Sequence, residues 1–263
     1  MPPAAPASRR EPRARGWVPD QHGAWAIVSL PLAAGVWLSG PQPVHLALAA
    51  TWLLGYFAFF AAGKWLRSRR VRERTPTLVY AAAAVPTGLV TLLGAPQLLR
   101  WVPVFLPLLV ASLWLTAKGR ERSLTNDAVT VVAAGLMTPV AADAGGLGPG
   151  PAVWVATGVL TAYFLGTVAY VKTMIRERGR TAYLRGSLGY HLVATGAATL
   201  LAVTGWQSWW LALVWVLLTA RAAAGPAANR RRDRPLRPAV VGAGEIVASA
   251  VVTVTVLAGL PEV

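Results

Sequence analysis

A few polar side chains stand at the edges of long apolar runs, and they set the chemistry open to this chain. Glu245 is the sharpest. It follows Pro238 by seven residues in Gly242-Ala243-Gly244-Glu245, roughly 10 Å along a helix rising ~1.5 Å per residue. A carboxylate at that depth should be protonated or paired with His22, His191 or a basic residue at the same mouth. An ion pair that merely fixes helix order is the alternative role. Tyr190-His191 opens another apolar run, where a histidine acts as a ligand or as a hydrogen-bonded packing residue. In the run from Tyr163 to Arg178, residues Tyr163, Gly166, Thr167, Tyr170 and Thr173 or Met174 share one semi-polar helical stripe. Lys172 and Arg176 lie one turn apart and could grip a phosphate between them or form a solvated charged end.

Two further segments carry the same ambiguity. In Pro19-Asp20-Gln21-His22-Gly23-Ala24-Trp25, Asp20 suits a helix cap or the positive end of a helix dipole. Gln21, His22 and Trp25 then form either an interfacial helix entry or a pocket wall. In Arg120-Glu121-Arg122-Ser123-Leu124-Thr125-Asn126-Asp127, Asn126 and Asp127 either satisfy free amides at a helix start or reach into a cavity beside Arg122. Converging on one cytoplasm-facing cavity, these groups would bind a lipidic or phosphorylated anion. With His22, Glu245 or Asp127 as acid/base they would serve a lipid-modifying transferase, and with Glu245 as coupling group a transporter. The chain has no cysteine, which removes disulfides, thiolate catalysis and Cys-ligated metals. It contains no Walker loop, HExxH or nucleophile elbow. No metal and no cofactor is expected.

These residues must be positioned by membrane-scale helices. Of 263 residues, 55% are hydrophobic and 13% charged, against roughly a quarter charged in soluble domains. No Asp, Glu, Lys or Arg occurs between Thr75 and Leu99 or between Gly186 and Ala220; a spanning helix needs ~20 largely apolar residues. The expectation is an all-α membrane protein of about nine spans: His22–Ser39, Val44–Gly63, Thr77–Gly94, Leu98–Ala117, Leu124–Ala142, Pro151–Lys172, Ser187–Thr204, Gln207–Ala222 and Ala239–Leu260. Together they occupy ~180 residues, so residues 17–263 read as one polytopic domain. Residues 1–16, rich in Pro, Ala and Arg, read as a disordered basic tail, and the first apolar stretch as a span rather than a removable signal. Tryptophans near span ends (Trp17, Trp65, Trp101, Trp206, Trp209) suit interfacial anchors.

The net charge of +15 would suggest nucleic acid in a soluble chain. Here all Lys and Arg except Arg100 fall in the tail and the even-numbered connections, on one face of the membrane. Positive charge collects on cytoplasmic loops, which puts the N-terminus inside and the C-terminus outside. Anionic membrane lipids become the expected partners, each near-surface cation contributing ~1 kcal/mol; no nucleic acid is expected.

The segments WVPDQHGAWAIVSLP (17–31), RERSLTNDAV (120–129), FLGTVAYVKTMIRERG (164–179) and RPLRPAVVGAGEI (234–246) resemble the YwiC-like membrane proteins of bacteria. That resemblance implies a multi-pass protein of the bacterial cytoplasmic (inner) membrane and assigns no activity. More distantly, the span count, inside N-terminus and heavy second and sixth connections are similar to UbiA-type prenyltransferases, which implies a UbiA-like bundle and an isoprenoid or phosphorylated lipid ligand. Those enzymes hold magnesium diphosphate with Asp-rich motifs in those two connections. This chain instead has KWLRSRRVRERT (64–75) and YVKTMIRERGR (170–180), cations where Mg²⁺ would need carboxylates.

Overall fold

The computed structural model describes residues 17–19, 22–232 and 234–261. The tail 1–16, Asp20, Gln21 and the side chain of His22 lie outside the described residues. The described residues form helices α1 (His22–Ser39), α2 (Pro43–Ser68), α3 (Val71–Gly94), α4 (Val102–Ala117), α5 (Leu124–Gly135), α6 (Met137–Ala144), α7 (Pro151–Met174), α8 (Thr181–Val203), α9 (Trp209–Arg230) and α10 (Pro238–Gly259). A 3₁₀ turn, Pro96–Trp101, leads into α4. Eight stretches are long and apolar enough to cross a membrane, counting the turn with α4, and α5 with α6, as single stretches. The shorter apolar helix Gly23–Ser39 accounts for the ninth expected segment. The protein is all-helical and multi-pass.

Proline and serine punctuate the bundle. Ser123 caps α5 by accepting the Asn126 amide at 3.2 Å. Pro139 has no N–H to give to Gly135, so the fifth span breaks at Leu136 into α5 and α6. The Thr138 hydroxyl beside this break donates to the Pro31 carbonyl at 3.0 Å, tying α6 to α1. Trp52 Nε1 does the same for α2, donating to the Val28 carbonyl at 2.9 Å.

Lipid tails are as apolar as leucine, so helices associate through close packing and hydrogen bonds rather than through burial from water. Gly35 on α1 lies so close to the Thr138 carbonyl and Ala141 that an added Cβ would overlap both. Gly135 presses in the same way on Thr161 of α7. The main core gathers Tyr163, Phe164 and Leu160 of α7 with Trp215 and Leu211 of α9 and Val252 and Val256 of α10. A second core joins α1, α2, the 3₁₀ turn and α6 around Leu32, Leu48, Trp101 and Met137.

The basic connections meet at one end of the bundle. Arg67 Nη1 pairs with Glu121 at 2.7 Å, joining the last turn of α2 to the α4–α5 connection. Asn229 Nδ2, near the end of α9, donates to the Met174 carbonyl at 3.2 Å, and Arg178 Nη2 donates to the Asn229 carbonyl at 3.0 Å. The opposite end has its own polar knot. Buried Asp143 accepts from Arg100 Nε (2.9 Å), Arg100 Nη2 (2.5 Å) and Trp101 Nε1 (2.8 Å). The Gln97 amide donates to the Asp143 carbonyl at 3.0 Å. His45 accepts the Gln42 amide at Nδ1 (2.9 Å) and donates from Nε2 to the Ala141 carbonyl (2.9 Å). Trp101 is therefore no interfacial anchor: it is buried, with its N–H spent on Asp143.

Candidate functional site

Two polar clusters form near the basic end. The outer one is built on the start of α5 and the end of α7. Lys172 is buried, its ammonium 2.6 Å from Asp127 Oδ2 and donating to the Arg122 carbonyl at 2.8 Å. Asn126 is buried too, accepting from Ser112 at 2.7 Å and donating to the Glu121 carbonyl at 3.0 Å. The expected cap is thus supplied by Ser123, while Asn126 and Asp127 brace neighbouring elements. Lys172 and Arg176 do not form a shared grip: α7 ends at Met174, Arg176 is exposed beyond it and Lys172 is committed to Asp127. The Arg122 side chain is exposed and contributes to the cluster through its carbonyl. Nearby at the surface, a hydrogen bond from Arg180 to Glu177 (2.7 Å) raises the Arg180 guanidinium above its ordinary value, in an exposed pair of the kind that adds little stability.

The inner cluster lies among α7, α8, α9 and α10. Glu245 is buried, with one carboxylate oxygen 2.6 Å from Arg221 Nη1. Of the partners expected for Glu245, a cation is present in Arg221, His191 is engaged elsewhere, and the His22 side chain lies outside the described residues. The Arg221 guanidinium stacks over the Tyr170 ring at 4.3 Å, a cation–π contact strengthened by desolvation. Tyr170 in turn packs on Gly225, where an added Cβ would come within 2.7 Å of the phenol oxygen. Tyr163 Oη lies 3.1 Å from Ser249 Oγ, and Ser249 donates to the Glu245 carbonyl at 2.6 Å. His191 Nδ1 is 2.7 Å from the Ser187 carbonyl; a carbonyl only accepts, so Nδ1 carries the proton and Nε2, facing Gly166, holds a lone pair. The semi-polar stripe expected on α7 is the buried face that carries Tyr163, Thr167 and Tyr170 into this cluster.

Hydrogen bonding in the inner cluster is incomplete. Arg221 Nε and Nη2, Glu245 Oε2, Thr167 Oγ1 and Ser187 Oγ are all buried without a hydrogen-bond partner. Leaving such a group unpaired costs ~1–3 kcal/mol, more when it is charged. The unpartnered Arg221 donors, on the side chain that already holds Glu245, mark a spot able to receive a polar group. Trp25, by contrast, is partly exposed and packs edge-on against Phe57 of α2, ring centroids 5.7 Å apart. It belongs to neither cluster. Among the described residues, no three His, Asp or Glu side chains gather to hold a metal ion.

Sequence reasoning placed Arg221 in a connection, whereas it lies nine residues before the end of α9, inside a stretch long enough to span. Its usable signal was that Ala222-Ala223-Ala224 continues the helix beyond it. The Asp143–Arg100 pair also went unread, although Arg100 is the one Lys or Arg at that end among the described residues and needs an anion.

Fold and site together define a multi-pass helical membrane protein with a charged, incompletely hydrogen-bonded centre inside its last four helices. Residues 18–142 match the YwiC-like protein family. The uncharacterized protein YwiC of Bacillus subtilis is 29% identical over 191 residues, 67% of this chain and 74% of its own. An uncharacterized protein of Haemophilus influenzae is 27% identical over 180 residues, again 67% of this chain and 74% of the relative. Over these stretches the chain is similar to YwiC-like proteins, and it is itself a multi-pass helical membrane protein. No solved structure matches it significantly.

Proposed function

We propose that this protein binds a lipidic or phosphorylated anion in the membrane-embedded centre of α7–α10, reached from the basic end, with Arg221 as the anion-binding side chain. The observation that carries this reading is the pair of buried, unpartnered donors Arg221 Nε and Nη2, on a guanidinium whose third nitrogen already holds Glu245. A guanidinium with two parallel N–H groups suits the paired oxygens of a phosphate or carboxylate. Lys172 is a poor substitute because Asp127 already neutralises it. The concentration of Lys and Arg at this end supports a cytoplasmic orientation and draws anionic lipids toward the mouth. Tyr170, nearer the end of α7 than Thr167, covers Arg221 on the side from which the ligand arrives.

The test is mass spectrometry of anionic lipids and phosphorylated metabolites retained through purification from native membranes. Wild-type protein should carry a defined anionic species that Arg221→Gln loses and Arg176→Gln keeps. Equal retention by Arg221→Gln overturns the assignment.

A further inference from the structure

Arg221 and Glu245 neutralise each other in a site where the carboxylate is buried and the guanidinium only a quarter exposed. An anion that docks on the free edge of the guanidinium would leave this site with one uncompensated negative charge. Burying an unpaired charge is strongly unfavourable, and a buried acid avoids it by becoming neutral. Resting on the proposed anion binding at Arg221, we infer that the anion enters together with one proton, which Glu245 takes up. The proton comes from the solution at the basic end and adds to a carboxylate oxygen. The Arg221–Glu245 ion pair is released, Arg221 keeps its charge for the incoming anion, and the occupied site is again neutral. Glu245 as an acid would then have an O–H to donate; in the free state its Oε2 has no hydrogen-bond partner.

The surroundings single out Glu245 as the group that takes the proton. Helices α1, α7 and α9 pack against α10. Titratable or charged groups facing Glu245 are Arg221 from α9 and Tyr163 and Tyr170 from α7, with His191 of α8 on the far side of Arg221. The titratable residue of α1 is His22, at its first position, and α10 carries no other ionisable side chain. The tyrosines are neutral donors, and Lys172, farther out on α7, is held by Asp127. His191 has no negative charge for a proton to remove, and its Nδ1 proton is already given to the Ser187 carbonyl. Glu245 alone carries the negative charge that a proton would remove.

The ligand chemistry is a singly charged phosphodiester, whose source is a lipid headgroup or a free ester. Two probes separate these sources: short-chain phosphatidylglycerol and dimethyl phosphate, whose own charges do not change across neutral pH. Each is titrated into the full-length protein in phosphatidylcholine nanodiscs over a series of pH values. Coupling to one proton predicts that wild-type affinity falls by up to about tenfold per unit rise in pH. Glu245→Gln should bind with an affinity that stays flat. Binding of the lipid probe alone assigns the site to a headgroup; binding of both assigns it to the phosphodiester group itself.

A flat wild-type profile with binding intact overturns the proton coupling and leaves the anion reading standing. A pH dependence that persists in Glu245→Gln overturns Glu245 as the acceptor. If neither probe binds the wild type, or Arg221→Gln binds both as well as the wild type does, the anion reading itself fails. Should Glu245→Gln not assemble, proton uptake by the wild type on mixing, read with a pH dye, decides the question. About one proton per bound probe supports the inference, and none overturns it.

Discussion

Truncating Asp143 to alanine should destabilise the bundle from the end opposite the proposed ligand site. Asp143 is 4% exposed and accepts three hydrogen bonds, two from Arg100 and one from Trp101. Removing the carboxylate strands the buried Trp101 N–H, at about 1–2 kcal/mol. The Arg100 side chain is 51% exposed, so its guanidinium returns to water and its lost pairing is worth only about 1 kcal/mol. The sum is about 2–3 kcal/mol, or roughly 5–10 °C in Tm for a chain of this size. Asp143→Asn keeps an acceptor for Trp101 and should cost less than half as much. Thermal unfolding in nanodiscs, followed by tryptophan emission, measures both, and Arg100→Ala completes a double-mutant cycle. Losses that simply add, or an Asp143→Ala protein as stable as the wild type, would refute the account of this knot.

Lys172→Met leaves Asp127 facing the end of α7 without its cation and should cost about 2–3 kcal/mol. Lys172→Met with Asp127→Asn should recover most of it, as measured by the same melts. Gly35→Ala drives a Cβ into the Thr138 carbonyl and should destabilise by about 1–3 kcal/mol; Gly23→Ala, which meets nothing within 4 Å, is the control. Gly225→Ala should displace the Tyr170 ring from Arg221 and reduce retention of the anionic species in purified protein. The natural absence of cysteine makes orientation directly measurable. In intact cells, an impermeant maleimide should label Leu147→Cys and spare Lys118→Cys; the reverse pattern would invert the proposed orientation.

Hydropathy placed the apolar segments closely. The first, His22–Ser39, is α1 to the residue, bounded by Pro19 before it and Gly40-Pro41 after it. At the basic end the helices run further than the apolar stretches: α2 reaches Ser68, α3 begins at Val71, α8 at Thr181, and α9 reaches Arg230. Helix propagation needs only backbone bonds, and Arg, Lys and Glu are good helix formers, so hydropathy locates apolar surface rather than helix ends. The same difference hid Arg221, which looks like a loop cation by charge and is an interior residue by position. Glu245 and the buried α7 stripe were readable because a carboxylate and hydroxyls at that depth demand partners. Which partners they find depends on how helices distant in sequence pack, as with Glu245 and Arg221 or Asp143 and Arg100, and one chain read alone does not carry that. The charged centre of α9 and α10 lies beyond the stretch matched to the YwiC-like family.

Only Arg69 and Arg70 separate α2 from α3, with Arg69 turned into the left-handed region at φ 56°. Its amide is fastened to the Trp65 carbonyl at 2.8 Å, and Ser68 donates to Glu73 across the turn. Beyond this hairpin α3 has little to hold it: its buried positions are Glu73, Pro76 and Thr91. Most of its surface thus answers to the acyl chains around it instead of to the fold. What fixes α3 is therefore its partner α2, through Tyr80 against Phe57 and Thr91 against Thr51, while its outward positions ask for little more than an apolar side chain.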